Sequence, residues 1–297
     1  MMNNEQERMV RMEYMDLVFE PEQQLVWAGF RYPGRPCMSQ GLLRDVGRSQ
    51  QLIAERAVAE HRQGLDGRLK YQVLCSELDG VFNLGGDLEY FISLIRSGNR
   101  DALLGYATAC IDILYQTATS YGIPFTTIAL VQGETLGGGF EAALSANVLI
   151  AERGARFGFP ETIFGMFPGM GAFNFLARRI APALARRIIA SGRVYKAEEL
   201  YEMGVVDILA ADGQGRQAVS DYIQHQRHRS NGFQALDQVF DRFNPLTYEE
   251  LQASIEIWVD TAMQLSGKNI RLMEYLVRAQ QKNWGEATTS SPVSLVG

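Results

Sequence analysis

The stretch from Val131 to Met170 constrains this chain more than any other. An apolar, β-branched run over 126–131 ends at a cluster of glycines, Gly133, Gly137, Gly138 and Gly139, and an Ala/Leu-rich helical pattern begins at once over 140–146. The pattern predicts a buried strand, a glycine turn and a helix N-terminus. Glycine lets backbone come close to a ligand, and the first amides of a helix have no internal acceptor, so an anionic oxygen is the natural guest. Glu141 falls in the first turn of that helix. Glu161 follows on an FGFPE segment that reads as a short strand running into a loop. Two carboxylates beside an amide cradle suggest acid/base chemistry.

A second stretch repeats the logic. DGVFNLGGDLEYFISLI gives a strand end, the Gly85-Gly86 turn and an amphipathic helix from Asp87. One glycine turn is weak evidence, because helix starts use glycine for steric reasons alone. Two such turns, 84–87 and 136–141, can each supply an N–H donor to one oxygen, the form of an oxyanion hole. Taken singly, Glu141 also reads as a helix-dipole carboxylate and Glu161 as a cap or loop ion pair. Glu161 lies among Phe157, Phe159, Ile163 and Phe164, where burial would raise its pKa and suit it to an acid role.

Around these turns, 17–19 and 25–30 read as a hairpin, 41–62 as a helix and 71–76 as a buried strand. A long helix is expected over 101–121, and a helical run over 171–192 precedes a loop, short helix and strand ending near Leu209. Such alternation implies crossovers and largely parallel strands, with a ligand site at their carboxyl ends. From Gly215 only helix is expected, at 233–243, 247–265 and 268–283. The division read from the sequence is an α/β core over 1–214, a helical C-terminal region over 215–284 and a disordered tail over 285–297. Residues 1–12 are expected to be loose.

Composition narrows the chemistry. A net charge of −6, with basic pairs embedded in apolar helical patterns, argues against nucleic acid as a partner. No apolar run is long enough to span a bilayer and the N-terminal residues lack a signal core, so a cytoplasmic protein without membrane insertion is expected. Cys37, Cys75 and Cys110 are widely spaced and read as reduced, buried thiols. The three histidines, His61, His225 and His228, lie in polar helical surroundings away from the glycine turns, which disfavours Ser-His-Asp and Cys-His sites. HExxH, the phosphate-binding GxxxxGK[ST] and GxGxxG after a strand are all missing, so no metal and no cofactor is expected. Carboxylates and backbone amides must do the work. Trp258, Met263 and Leu276 read more readily as core than as pocket.

These motifs also carry a resemblance. FNLGGDL (82–88), ALVQGETLGGGFEAALSANVLIA (129–151), FGFPETIFGMFPGMGA (157–172) and YKAEELYEMGVVD (195–207) resemble, in order and spacing, the crotonase, or enoyl-CoA hydratase/isomerase, superfamily over 17–209. FNLGGDL, VQGETLGGGFEAALS, FPGMGA, EIWVDTAMQL (256–265) and LVRAQ (276–280) look more narrowly like the diffusible signal factor (DSF) synthases of Gram-negative bacteria, through nearly the whole chain.

The resemblance implies a crotonase-like ββα spiral core, commonly assembled as a homo-oligomeric trimer or hexamer. It implies a thioester carbonyl held between the amides of Gly86 and Gly138, with Glu141 and Glu161 as the paired catalytic glutamates. Gly85, Gly137, Leu136, Met170, Trp258 and Leu276 are the expected substrate-binding residues, the last four lining an acyl pocket. DSF synthases dehydrate 3-hydroxyacyl chains on acyl carrier protein to the cis-2-enoyl form and hydrolyse acyl thioesters to the free acid. Proteins of this kind can also be held inactive by the receiver domain of a membrane sensor kinase, which implies that carrier protein and receiver domain as partners. A hydratase or isomerase acting on acyl-CoA, and a regulatory binding module with little turnover, are the alternative readings. Some hydratases place a lysine near the CoA phosphates two residues after the aspartate of the first glycine turn. This chain has Glu89 there, which disfavours the CoA 3′-phosphate and favours a carrier protein.

Overall fold

Strand pairing begins earlier than the sequence suggests. The computed structural model describes residues 9–63, 68–227 and 242–287, together with positions 232, 236 and 239. Within the segment expected to be loose, β1 (Met9–Arg11) pairs antiparallel with β2 (Met15–Glu20). Met12 is buried behind this strand, and Arg11 reaches the buried carboxylate of Asp16 at 3.3 Å. β2 then forms the expected hairpin with β3 (Leu25–Phe30).

From β3 onward the chain crosses over repeatedly. α1 (Gln40–Arg62) leads to β4 (Tyr71–Ser76) and the short β5 (Val81–Asn83), and α2 (Leu88–Arg96) and α3 (Arg100–Ala118) lead to β6 (Thr126–Val131). β7 (Glu134–Leu136), α4 (Gly138–Ser145), β8 (Val148–Glu152) and β9 (Arg156–Gly158) follow. The helical run expected over 171–192 is divided. α5 (Ala172–Arg179) stops before Pro182, which opens α6 (Pro182–Ala190), because proline suits a first helical turn and not a helix interior. β10 (Val194–Lys196), α7 (Ala197–Glu202) and β11 (Ile208–Ala210) complete the sheets, and α8 (Gly215–Arg227), α9 (Tyr248–Met263) and α10 (Gly267–Ala287) are helical as expected. The helix expected over 233–243 falls mostly outside the described residues, as does the tail expected over 285–297 beyond Ala287.

The strands form a seven-stranded sheet in the order β1-β2-β3-β4-β6-β8-β11 and a four-stranded sheet in the order β10-β9-β7-β5. β3 through β11 of the larger sheet are parallel, as are β5, β7 and β9 of the smaller one. Alternate residues serve opposite faces of the large sheet. Leu25, Trp27, Val73, Ile128 and Ile150 meet Val219 and Ile223 of α8 on one side. On the other, Val26, Ala28, Phe30, Ala129 and Leu149 enter a large cluster that also takes in α1, α3, α9 and α10. Both glycine turns open from the carboxyl ends of strands, where parallel sheets place ligands. Among the described residues, no helix is long and apolar enough to cross a membrane.

Candidate active site

Two backbone turns converge. Gly85 has a φ of +96°, and an added Cβ would lie 3.0 Å from the Leu136 carbonyl oxygen and 3.4 Å from the Gly138 nitrogen. The strand ends β5 and β7 pair in parallel, and this brings the second turn beside the first. Seen from the other side, a Cβ on Gly138 would lie 3.6 Å from the Gly86 nitrogen. Neither the Gly86 nor the Gly138 amide donates a backbone hydrogen bond among the described residues. Two free amides thus meet at one place, the second at the N-terminus of α4, and both suit an oxygen that gains negative charge.

Glu141 stands in the first turn of α4 and is 2% exposed. Its Oε1 accepts from the Met170 amide at 2.8 Å, in the loop that precedes α5, and from the Ala172 amide at 3.0 Å, at the first residue of α5. Burial pushes its pKa up to about 7, against the pull of these two hydrogen bonds. Glu161 sits on a short turn, Pro160–Phe164, directly after β9. Its Oε2 is buried with no hydrogen-bond partner, while Oε1 lies so close to Gly137 that an added Cβ would sit 2.4 Å away. Gly137 also has a φ of +50°, so any side chain there would be strained as well as obstructed. Burial raises Glu161 to about 8, and the charge of Glu141 adds to the effect. The pair is built to hold a proton near neutral pH.

One cavity of about 280 Å³ gathers the two glutamates, the glycine-turn residues and the acyl-pocket residues expected from the sequence. The glycine turns supply Gly85, Gly86, Leu136, Gly137 and Gly138, and Glu141 and Glu161 both line the same space. Met170 lines it from the loop before α5, Trp258 from α9 and Leu276 from α10. Trp258 is core and pocket at once: it is 5% exposed, stacks edge-on to Phe91 at 5.2 Å between centroids and belongs to the main buried cluster. Met263 packs against that cluster without lining the cavity. His61 and His225 lie on α1 and α8 and do not line it either, and His228 lies outside the described residues.

The family model for enoyl-CoA hydratase/isomerase matches residues 49–279. The chain belongs to that family. A fatty acid oxidation complex subunit alpha from Pseudomonas syringae pv. tomato is 31% identical over 159 residues, a match that spans 54% of this chain and only 21% of that protein. The crystal structure of an enoyl-CoA hydratase from Bacillus halodurans superposes with a TM-score of 0.72 at 19% identity, over 89% of this chain and 100% of that one. An enoyl-CoA hydratase from Mycobacterium avium subsp. paratuberculosis gives 0.68 at 15% identity, over 91% and 97%. At such identities the likeness establishes the crotonase fold, which the two sheets and the C-terminal helices display.

Several residues that line this cavity escape a reading of the sequence. Met38, Phe91 and Tyr106 line the cavity, yet Tyr106 shares a helical stripe on α3 with Leu103, Ala107 and Cys110 and looks like ordinary core. Its hydroxyl donates to the Met38 carbonyl at 2.6 Å and so ties α3 to the segment before α1. The three cysteines are buried and free, and burial pushes the thiols of Cys37 and Cys75 up to about 12. Glu89 is not an isolated carboxylate. Arg35 donates to Glu89 at 3.0 Å and to Asp87 at 2.8 Å, so the negative field expected from Glu89 is partly cancelled by a guanidinium. The three groups together carry one net negative charge. Glu89 therefore repels a phosphate less than the sequence suggests.

Proposed function

We propose that this enzyme dehydrates a medium-chain 3-hydroxyacyl thioester carried on acyl carrier protein to the cis-2-enoyl form, and hydrolyses the thioester to release a free acid signal of the DSF type. The observation that carries the reading is the pairing of Glu141 and Glu161, both raised into the neutral range, beside two unengaged amides in an apolar cavity. Glu141, anchored as a carboxylate by two amides, takes the α proton. The C–H electron pair forms the double bond between Cα and the carbonyl carbon as the carbonyl π pair moves onto the thioester oxygen, where the Gly86 and Gly138 N–H groups stabilise the enolate. Glu161 gives its proton to the β-hydroxyl, which leaves as water as the enolate collapses into the 2,3 double bond. One proton has moved from Glu161 to water and one from substrate to Glu141, and exchange with solvent resets the pair. In the hydrolytic step water adds to the carbonyl, the same two amides hold the tetrahedral oxyanion, and the carrier thiol departs with a proton.

Purified protein given 3-hydroxydodecanoyl carrier protein is expected to form a 2-dodecenoic acid detectable by mass spectrometry. Glu141→Ala and Glu161→Ala are each expected to abolish it, and full activity in both variants would sink the assignment. The family match favours a second reading, hydration of an enoyl-CoA. Rapid hydration of crotonyl-CoA with no action on the carrier-protein substrate would establish that reading instead.

A further inference from the structure

The amide that faces the cavity at the first glycine turn is singled out by the occupation of its neighbours. Leu84 N–H donates to the Pro36 carbonyl at 2.7 Å, and the Gly85 carbonyl accepts from Met38 N–H at 2.7 Å. Gly85 N–H donates to Asn83 Oδ1 at 2.8 Å. These groups are held within the fold, whereas Gly86 N–H has no acceptor among the described residues. The Asn83 bond also fixes the turn at Gly85, since a side-chain oxygen that accepts from the amide two residues on closes an Asx turn.

Asn83 does not choose its own orientation. It is fully buried, and its Nδ2 donates at 3.1 Å to the hydroxyl of Tyr32, just beyond β3. That hydroxyl donates in turn to the Phe82 carbonyl at 2.5 Å, which leaves it an acceptor toward Asn83. Burial holds the Tyr32 phenol protonated, with a pKa well above 10. The carboxamide must therefore present its oxygen to Gly85 and not its nitrogen. The other glycine turn rests on the same residue: a Cβ on Gly139 would lie 2.4 Å from the Asn83 carbonyl oxygen and 2.8 Å from its Cβ. Asn83 thus lies against both glycine turns, bonded to the residue before the Gly86 amide and packed on the residue after the Gly138 amide.

We propose that Asn83, oriented by Tyr32, is a positioning residue that aims the Gly86 and Gly138 amides at a single oxygen. The inference rests on the thioester reading given above and adds a residue that touches no substrate. A side chain that merely stabilised the loop would change the folded fraction and leave turnover per folded molecule alone. Donor positioning instead controls the transition state, where charge on the oxygen is greatest.

The test compares Asn83→Ala, Asn83→Ser and Tyr32→Phe in steady-state turnover of 3-hydroxydodecanoyl carrier protein, corrected for folded protein. Asn83→Ala is expected to lower kcat about 30- to 100-fold with KM within about threefold, by analogy with a lost or displaced oxyanion donor. Asn83→Ser is expected to recover roughly tenfold of that loss, because a hydroxyl can close the same short turn. Tyr32→Phe, which keeps Asn83 but frees its orientation, is expected to lose about fivefold in kcat. A second readout does not depend on the reaction. The wild-type protein is loaded with a pantetheine ketone analogue in which CH₂ replaces the thioester sulfur, and the C=O stretch is recorded by infrared difference spectroscopy. A red shift in wild type that vanishes in Asn83→Ala supports positioning even if no thioester turns over, in which case the functional reading alone fails. A red shift retained in Asn83→Ala, or kcat unchanged in that variant, overturns the proposal. No red shift in wild type overturns both.

Discussion

Glu141 and Glu161 differ in what opposes their burial. Two amides hold Glu141 and limit its rise to about 7, whereas Glu161 has an unpartnered oxygen and a negative neighbour and rises to about 8. Titration belongs to the pair, and the singly protonated form is the one that carries both a base and an acid. The log of kcat/KM against pH is therefore expected to be a narrow bell with limbs near 7 and 8, read from initial rates. A limb at the ordinary carboxylate range, near 4.5, would show that the site does not raise these groups. The same shift has a sign for stability. A carboxyl whose folded pKa lies above its unfolded value contributes fully below the unfolded pKa, and the contribution is lost as pH rises toward the folded one. Glu161→Gln removes that liability. Its midpoint of urea unfolding is expected to exceed that of wild type by a margin that grows from about pH 5 to about pH 8 and then levels off. A margin independent of pH would contradict this account.

At the level of elements, the site depends on how short segments end. Asp87 caps α2 by accepting from the Tyr90 amide at 3.3 Å and also takes the Arg35 guanidinium at 2.8 Å. Asp87→Ala is expected to lower the unfolding free energy by roughly 1 kcal/mol in urea titration, the usual value of a lost cap, with Asp87→Asn closer to wild type. Equal losses in the two variants would assign the effect to the ion pair instead. The long elements were legible because periodicity has room to show: α1, β4, β6 and α9 begin and end within one or two residues of the expected positions. β5, β7, β9 and β10 have only three residues each, too few to display alternation, and only the ends of β5 and β9 were anticipated. Glu141, Glu161 and the glycine pair were readable because they sit in local motifs. Asn83 and Tyr32 were not, because their roles arise from a contact between the end of β3 and the end of β5 that no local pattern records.

At the scale of the molecule, the seven-stranded sheet separates a face sealed by α8 from a face that holds the cavity. α9 and α10 close that second face, and Trp258 packs on the loop that anchors Glu141: a Cβ on Gly169 would lie 2.4 Å from its ring. On the proposed function, Trp258→Ala is expected to shift preference toward longer acyl chains, measured as product distribution from carrier-protein substrates of graded length. Trp258→Phe should shift it less. Because truncation of a buried aromatic costs about 3–5 kcal/mol, the profile is to be taken at a temperature where circular dichroism shows the variant folded. An unchanged profile there would leave Trp258 with packing alone.

The cavity wall is drawn from the same set of side chains that holds the fold together, since Trp258, Met273 and Met170 belong to both. An apolar tail that enters is solvated by the protein's own interior, much as one more core side chain would be. Occupancy and cohesion then become a single thermodynamic quantity. Loading with an apolar tail should carry a negative change in heat capacity and slow amide exchange in α9 and α10, while the sheet face beneath α8 stays indifferent to whether the site is filled.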